Sequence, residues 1–83
     1  MKPEAINALA KLFIQTRHKL ENDGAIAALE FLVVRHGASY RTNCGADHLA
    51  LWGVRASCTW GATGLVNGWL RAAERHLIKA YGA

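Results

Sequence analysis

Apolar and polar positions repeat with two different periods along this 83-residue chain. Over residues 3–21, Ile6, Leu9, Phe13 and Leu20 return on one helical face, helped by Ala10 and the stem of Arg17. Pro3 fits a first helical position, where its missing N–H is no loss, and Glu4 suits the positive end of the helix dipole. Asn22-Asp23-Gly24 then ends the helix and turns the chain. Residues 24–36 predict a second helix, with Asp23 as its N-cap and Gly37 just past its end. Its stripe is Ala25, Ile26, Ala28, Leu29, Leu32 and Val33. Residues 64–81 carry the clearest pattern. Leu65, Val66, Trp69, Leu70, Ala73, Leu77 and Ala80 hold one face, while Arg71, Glu74, Arg75 and Lys79 cover the other. Thr63 or Asn67 is the expected cap.

Residues 38–46 predict a loop or a short extended segment. Between them and the last helix, two periods compete. Trp52, Val54, Ala56, Cys58 and Trp60 alternate with Gly53, Arg55, Ser57, Thr59 and Gly61, which is the period of a strand. Yet Asp47 suits a helix N-cap, and Leu49, Trp52, Ala56 and Trp60 also fall on one helical face. Neither Phe31–Arg35 nor Tyr40–Asn43 makes an obvious hairpin with a strand at 50–60, and an unpaired strand leaves its backbone unsatisfied. The helical reading is therefore preferred, with Gly53 letting another helix approach closely. The expected fold is all-α, a compact bundle of about four helices forming one domain over residues 1–83. The alternative is α+β, with a strand at 50–60.

Composition adds constraints. A chain of 83 residues that is 52% hydrophobic can bury a core without staples. The N-terminal residues lack the continuous apolar block of a secretory signal, and no apolar run approaches a membrane span. A cytoplasmic protein that does not engage membranes is expected. The net charge is +4, and the excess lies mostly after residue 40. Such an excess favours acidic partners, nucleic acid or an acidic protein surface.

Candidate chemistry is sparse. Cys44 and His48, with Cys58 and one of His18, His36 or His76, supply zinc-type ligands, but without the close pairs on both sides of a spacer that structural zinc sites use. Cys44 and Cys58 suit packed thiols in a reducing compartment better than a bridge. The six acidic residues are scattered. No G-x-S-x-G, H-E-x-x-H or P-loop is present, and Gly61–Gly68 lacks the lysine and spacing of a phosphate-binding loop. No catalytic residue, metal or cofactor is assigned, and an enzyme is not expected. A helix-turn-helix wants glycine four residues after a small residue; Ala56 is followed there by Trp60, so major-groove reading by a recognition helix is not supported.

What remains is a basic, aromatic face. Tyr40, Arg41, Arg55, Trp60, Arg71, Arg75 and Lys79 are the expected partner-binding residues, because Trp, Tyr and Arg dominate interface energetics and cations suit phosphate. Size and elimination point to a non-enzymatic binding protein. The expected role is a phage- or mobile-element-type inhibitor, anti-CRISPR-like, that sterically blocks a bacterial defence nucleoprotein complex. Its partner is then a host protein or ribonucleoprotein complex, met as monomer or homodimer. The alternatives are a small nucleic-acid-binding accessory protein or transcriptional regulator, and a zinc-stabilised structural module.

Overall fold

The computed structural model describes residues 2–59 and 61–82. The chain runs α1 (Pro3–Asp23), α2 (Ala25–Glu30, continued by a π-turn at Phe31–Arg35), β1 (Ser39–Asn43), β2 (Ala46–Leu51), β3 (Val54–Cys58) and α3 (Gly61–Gly82). The expected four-helix bundle is therefore wrong, and the fold is α+β. Three helices form where the apolar periodicity placed them, but residues 39–58 form a three-stranded antiparallel meander, ordered β1-β2-β3.

The mistake turned on two short turns. Each hairpin is closed by two residues, Cys44-Gly45 and Trp52-Gly53, and all four have positive φ (53°, 79°, 54° and 81°). That is the I′ geometry whose twist matches paired strands. Gly53 is thus a turn residue, not a helix-packing notch, and it divides what reads as one ten-residue strand into two. Tyr40–Asn43, dismissed as a partner, pairs with β2 from Tyr40↔Leu49 to Asn43↔Ala46. With both hairpins closed, Asp47, His48, Leu49 and Ala50 of β2 each find a partner on both sides, and the objection to a strand disappears. Asp47 is a strand residue opposite Cys58 rather than a cap.

α3 is the centre of the molecule. Its 22 residues make a rod about 33 Å long, which spans the longest dimension of the protein, 36 Å. Leu65, Val66, Trp69, Leu70, Ala72 and Ala73 are buried along it. The helical layer covers it with Leu9, Leu12 and Thr16 of α1 and Ala28 and Leu32 of α2, and the sheet covers it with Leu49, Leu51 and Val54. Gly68 lets the helix close on β3: a Cβ built there meets the Ala56 Cβ at 3.5 Å.

Local signals are mixed. Gly37 (φ 73°) ends the second helix as expected, and the amides of Gly37 and Ala38 reach back to the carbonyls of Val33 and Leu32. Asp23 does not cap α2. It closes α1 and pairs with Lys19 at 3.1 Å, and Gly24 takes the N-cap position. α3 begins at Gly61, so Thr63 and Asn67 lie inside it, joined by a bond from Asn67 Nδ2 to the Thr63 carbonyl. Among the described residues no helix is long and apolar enough to cross a membrane.

Candidate nucleic-acid interface

The meander gives the sheet two faces of opposite character. Side chains alternate across a strand, so residues paired across the ladder share a face. Leu49 and Leu51 point toward α3, and with them go their partners Ala56 and Val54. The other face carries two transverse rows. One is Arg41–His48–Ser57 and the next is Ser39–Ala50–Arg55. Among the described residues no element packs over these rows. They line a shallow trough, with Ala50 as its low floor and the two arginines on opposite flanking strands.

The electrostatics of this face are simple. Among the described residues no carboxylate lies on it. The one acid in the sheet, Asp47, belongs to the other face and accepts a hydrogen bond from Thr42 Oγ1 at 2.8 Å. Among the described residues the ion pairs are Arg17–Glu21 (3.5 Å) and Lys19–Asp23 (3.1 Å), both on α1. Arg41, Arg55, Arg75 and Lys79 have no acidic partner there. The cations of the helical layer are thus partly neutralised, whereas those of the sheet side keep their donors for a ligand.

Two hollows adjoin the trough. Arg55 turns the corner between the sheet and α3: with Gly53 it lines a groove whose other wall is Arg75, His76 and Lys79. A second hollow shares Ser39, Ala50 and Arg55 with the trough and is closed by His36 and Trp52. Trp52 sits at the tip of the β2–β3 hairpin, 47% exposed. The His36 ring lies edge-on to it at 6.1 Å and to Phe31 at 4.9 Å.

The expected site residues therefore divide. Arg41, Arg55, Arg75 and Lys79 fall on one continuous basic band. Arg71 does not join it: it lines a separate groove between α1 and α3, beside Glu21 and Glu74. Tyr40 is half-exposed and contributes to the trough lining, although by strand parity it shares the face of Leu49; α3 lies under β3 and β2 rather than under this edge strand. Trp60 lies outside the described residues. Sequence reasoning missed His36, Ser39, His48, Trp52 and Ser57. The signal for Ser39, His48 and Ser57 was the parity of three short strands separated by X-Gly turns; Trp52 lies in one of those turns and His36 at the end of the second helix.

The zinc-type residues are not gathered. His48 belongs to the open face and Cys58 to the opposite one, and the described residues hold no group of three or more His, Cys, Asp or Glu arranged for a metal. The Cys44 thiol is unbridged at its turn and donates to Asn43 Oδ1 at 3.3 Å.

Guanidinium, imidazole and hydroxyl groups around a low apolar floor are complementary to phosphate oxygens, which accept hydrogen bonds and carry negative charge. Family models, curated proteins and solved structures were compared with the chain, and nothing matches.

Proposed function

We propose that this chain is a non-enzymatic nucleic-acid-binding protein that grips a phosphate backbone with the open face of its sheet. The observation that carries the proposal is the trough itself. Arg41 and Arg55 flank Ala50 on a face where the described residues place no carboxylate, and neither is ion-paired among them. Arg75 and Lys79 extend the same band over the sheet edge onto α3.

The test is fluorescence anisotropy with labelled mixed-sequence oligonucleotides at about 50 mM salt. Reversing both flanking charges, R41E with R55E, lowers affinity about 100-fold or more, and wild-type affinity falls steeply as salt rises. The control, K2E with K11E, makes the same change in net charge on the helical layer and lowers affinity far less. Equal losses in the two double variants would refute a built site and leave only diffuse charge.

A second reading keeps a protein partner: a phage- or mobile-element-type inhibitor, anti-CRISPR-like, that blocks a bacterial defence nucleoprotein complex by occupying its surface. The observation favouring it is that Trp52 and Tyr40, side-chain types that dominate protein interfaces, stand 47% and 43% exposed, and each lines a hollow that Arg55 also lines. Affinity capture from bacterial lysate with and without nuclease separates the two. Retention of one defined protein assembly after nuclease supports the inhibitor; loss of all retained material supports direct nucleic-acid binding.

A further inference from the structure

We infer that the nucleic acid this face accepts is single-stranded, and that Trp52 is the platform on which one of its bases stacks. The inference rests on the nucleic-acid reading above and specifies its ligand.

Three observations converge on it. First, the basic band is not flat. It crosses the open sheet face between Arg41 and Arg55, then turns at Arg55 into the groove walled by Arg75 and Lys79. A stiff duplex keeps its backbone nearly straight over this distance, because its persistence length is about 150 bp. A single strand follows the corner. Second, the trough is flanked by side chains on both outer strands and floored by Ala50. That form receives one narrow backbone. The rounded surface of a duplex would meet the two arginines and leave the floor empty.

Third, the hollow continuing the trough ends on an aromatic ring. Ser39, Ala50 and Arg55 belong to both depressions, so a backbone lying over Ala50 has Trp52 next to it. The indole is presented rather than stored: it is 47% exposed at a hairpin tip, and the His36 ring braces it edge-on. It also occupies a backbone conformation, φ 54°, that bulky side chains rarely adopt. Turn chemistry alone selects Asn or Gly at that position. A base stacked on an indole gains affinity whatever its identity, since every base has a π-face, while paired bases inside a duplex offer none.

The roles then separate cleanly. Arg41 and Arg55 hold phosphates, and Trp52 holds a base. Phosphate contacts appear in the salt dependence of binding; stacking does not. The test uses a 12-nucleotide oligo(dT), the same oligonucleotide annealed to its complement, and the intact protein. Single-stranded dT binds at least 10-fold more tightly than the duplex, with quenching of a tryptophan signal that W52F and W52A both remove, while W52F keeps more of the affinity than W52A because its ring still stacks. W52A lowers dT affinity about 5- to 100-fold and leaves the slope of log K against log salt unchanged. R41A and R55A each make that slope shallower by about 0.7.

Duplex binding as tight as single-strand binding overturns the inference and leaves the nucleic-acid reading standing. So does unchanged dT affinity in W52A, with circular dichroism confirming the fold. No binding of either oligonucleotide at low salt, or retention of a nuclease-resistant protein assembly in its place, overturns both.

Discussion

His48 and Leu49 are neighbours in sequence and opposites in environment. Leu49 is buried against the helical core, while His48 stands on the open face between Arg41 and Ser57. The same division holds along β2 and β3, whereas β1 is exposed throughout: α3 has claimed one face of those two strands for its apolar contacts, and the other face carries mostly polar and basic groups. A three-stranded sheet cannot stand alone without burying one side. Once that side is sealed, residues on the other contribute little to folding and are free to serve binding. The physical separation of stability from the proposed binding is therefore a matter of strand parity.

That separation makes the largest prediction. L49A removes a fully buried side chain and leaves a cavity, costing about 2–4 kcal/mol in chemical denaturation. H48A, one residue away, changes stability by less than about 0.5 kcal/mol. Similar costs for the two would mean that the open face is covered by something that packs on it. R41A and R55A belong with H48A, so their effects on binding can be read without correction for unfolding.

The sealed side is not uniformly apolar. Thr16 is buried on α1, and neither its Oγ1 nor the Trp69 Nε1 has a hydrogen-bond partner among the described residues. Both groups lose water on folding with nothing in return. T16V keeps the shape and β-branching and removes the orphaned hydroxyl, so a gain of about 1 kcal/mol is expected. Thermal unfolding registers it as a rise of about 4–8 °C. A loss would show that the hydroxyl is satisfied in solution.

Gly68 tests the seam between α3 and β3. Glycine in a helix interior costs about 0.8–1 kcal/mol relative to alanine. The Ala56 Cβ at 3.5 Å is at ordinary contact distance for a new methyl group. G68A is expected to stabilise by somewhat less than the propensity difference, about 0.5 kcal/mol, measured by urea unfolding. G68L puts a bulky side chain into the same seam and destabilises.

The helices were legible because each commits a whole face to burial. Leu65, Val66, Trp69, Leu70 and Ala73 repeat often enough to read without knowing what they touch, and all five are buried. The sheet was not legible in the same way. Its strands are five or six residues long, too short for a period to outvote a competing one. The alternation through Trp52 and Gly53 also ran across a turn and so joined two strands into one. The turn residues themselves were atypical: Cys-Gly and Trp-Gly stand where Asn-Gly or Asp-Gly announces a hairpin. The basic band was half legible for a related reason. Charge can be counted along the chain, so Arg41, Arg55, Arg75 and Lys79 were all found. Which of the cations share a surface depends on strand parity and helix phase, and Arg71, one turn from Arg75, lies with α1 instead.

The two turns offer the finest test, because they share a geometry and differ in what surrounds them. Cys44 and Trp52 both hold φ near 54° at the first turn position, where Asn is the better residue. At Cys44 the side chain is exposed and bonds to its neighbour Asn43 at 3.3 Å, so C44N should realise most of the relief, about 0.5–1 kcal/mol. At Trp52 the same relief is offset by the loss of the His36 ring contact at 6.1 Å, worth roughly 0.5 kcal/mol at an exposed site. W52N is therefore expected to change stability by only a few tenths of a kcal/mol, and the two substitutions compared by urea unfolding should differ by about the ring contact. A matching gain at both turns would mean that His36 contributes nothing to holding the indole. A near-zero change in stability with a large loss of binding would separate the two uses of Trp52. That outcome would mean that the hairpin folds as well without the ring, and that the cost of keeping it in a left-handed turn is borne for what it touches outside the molecule.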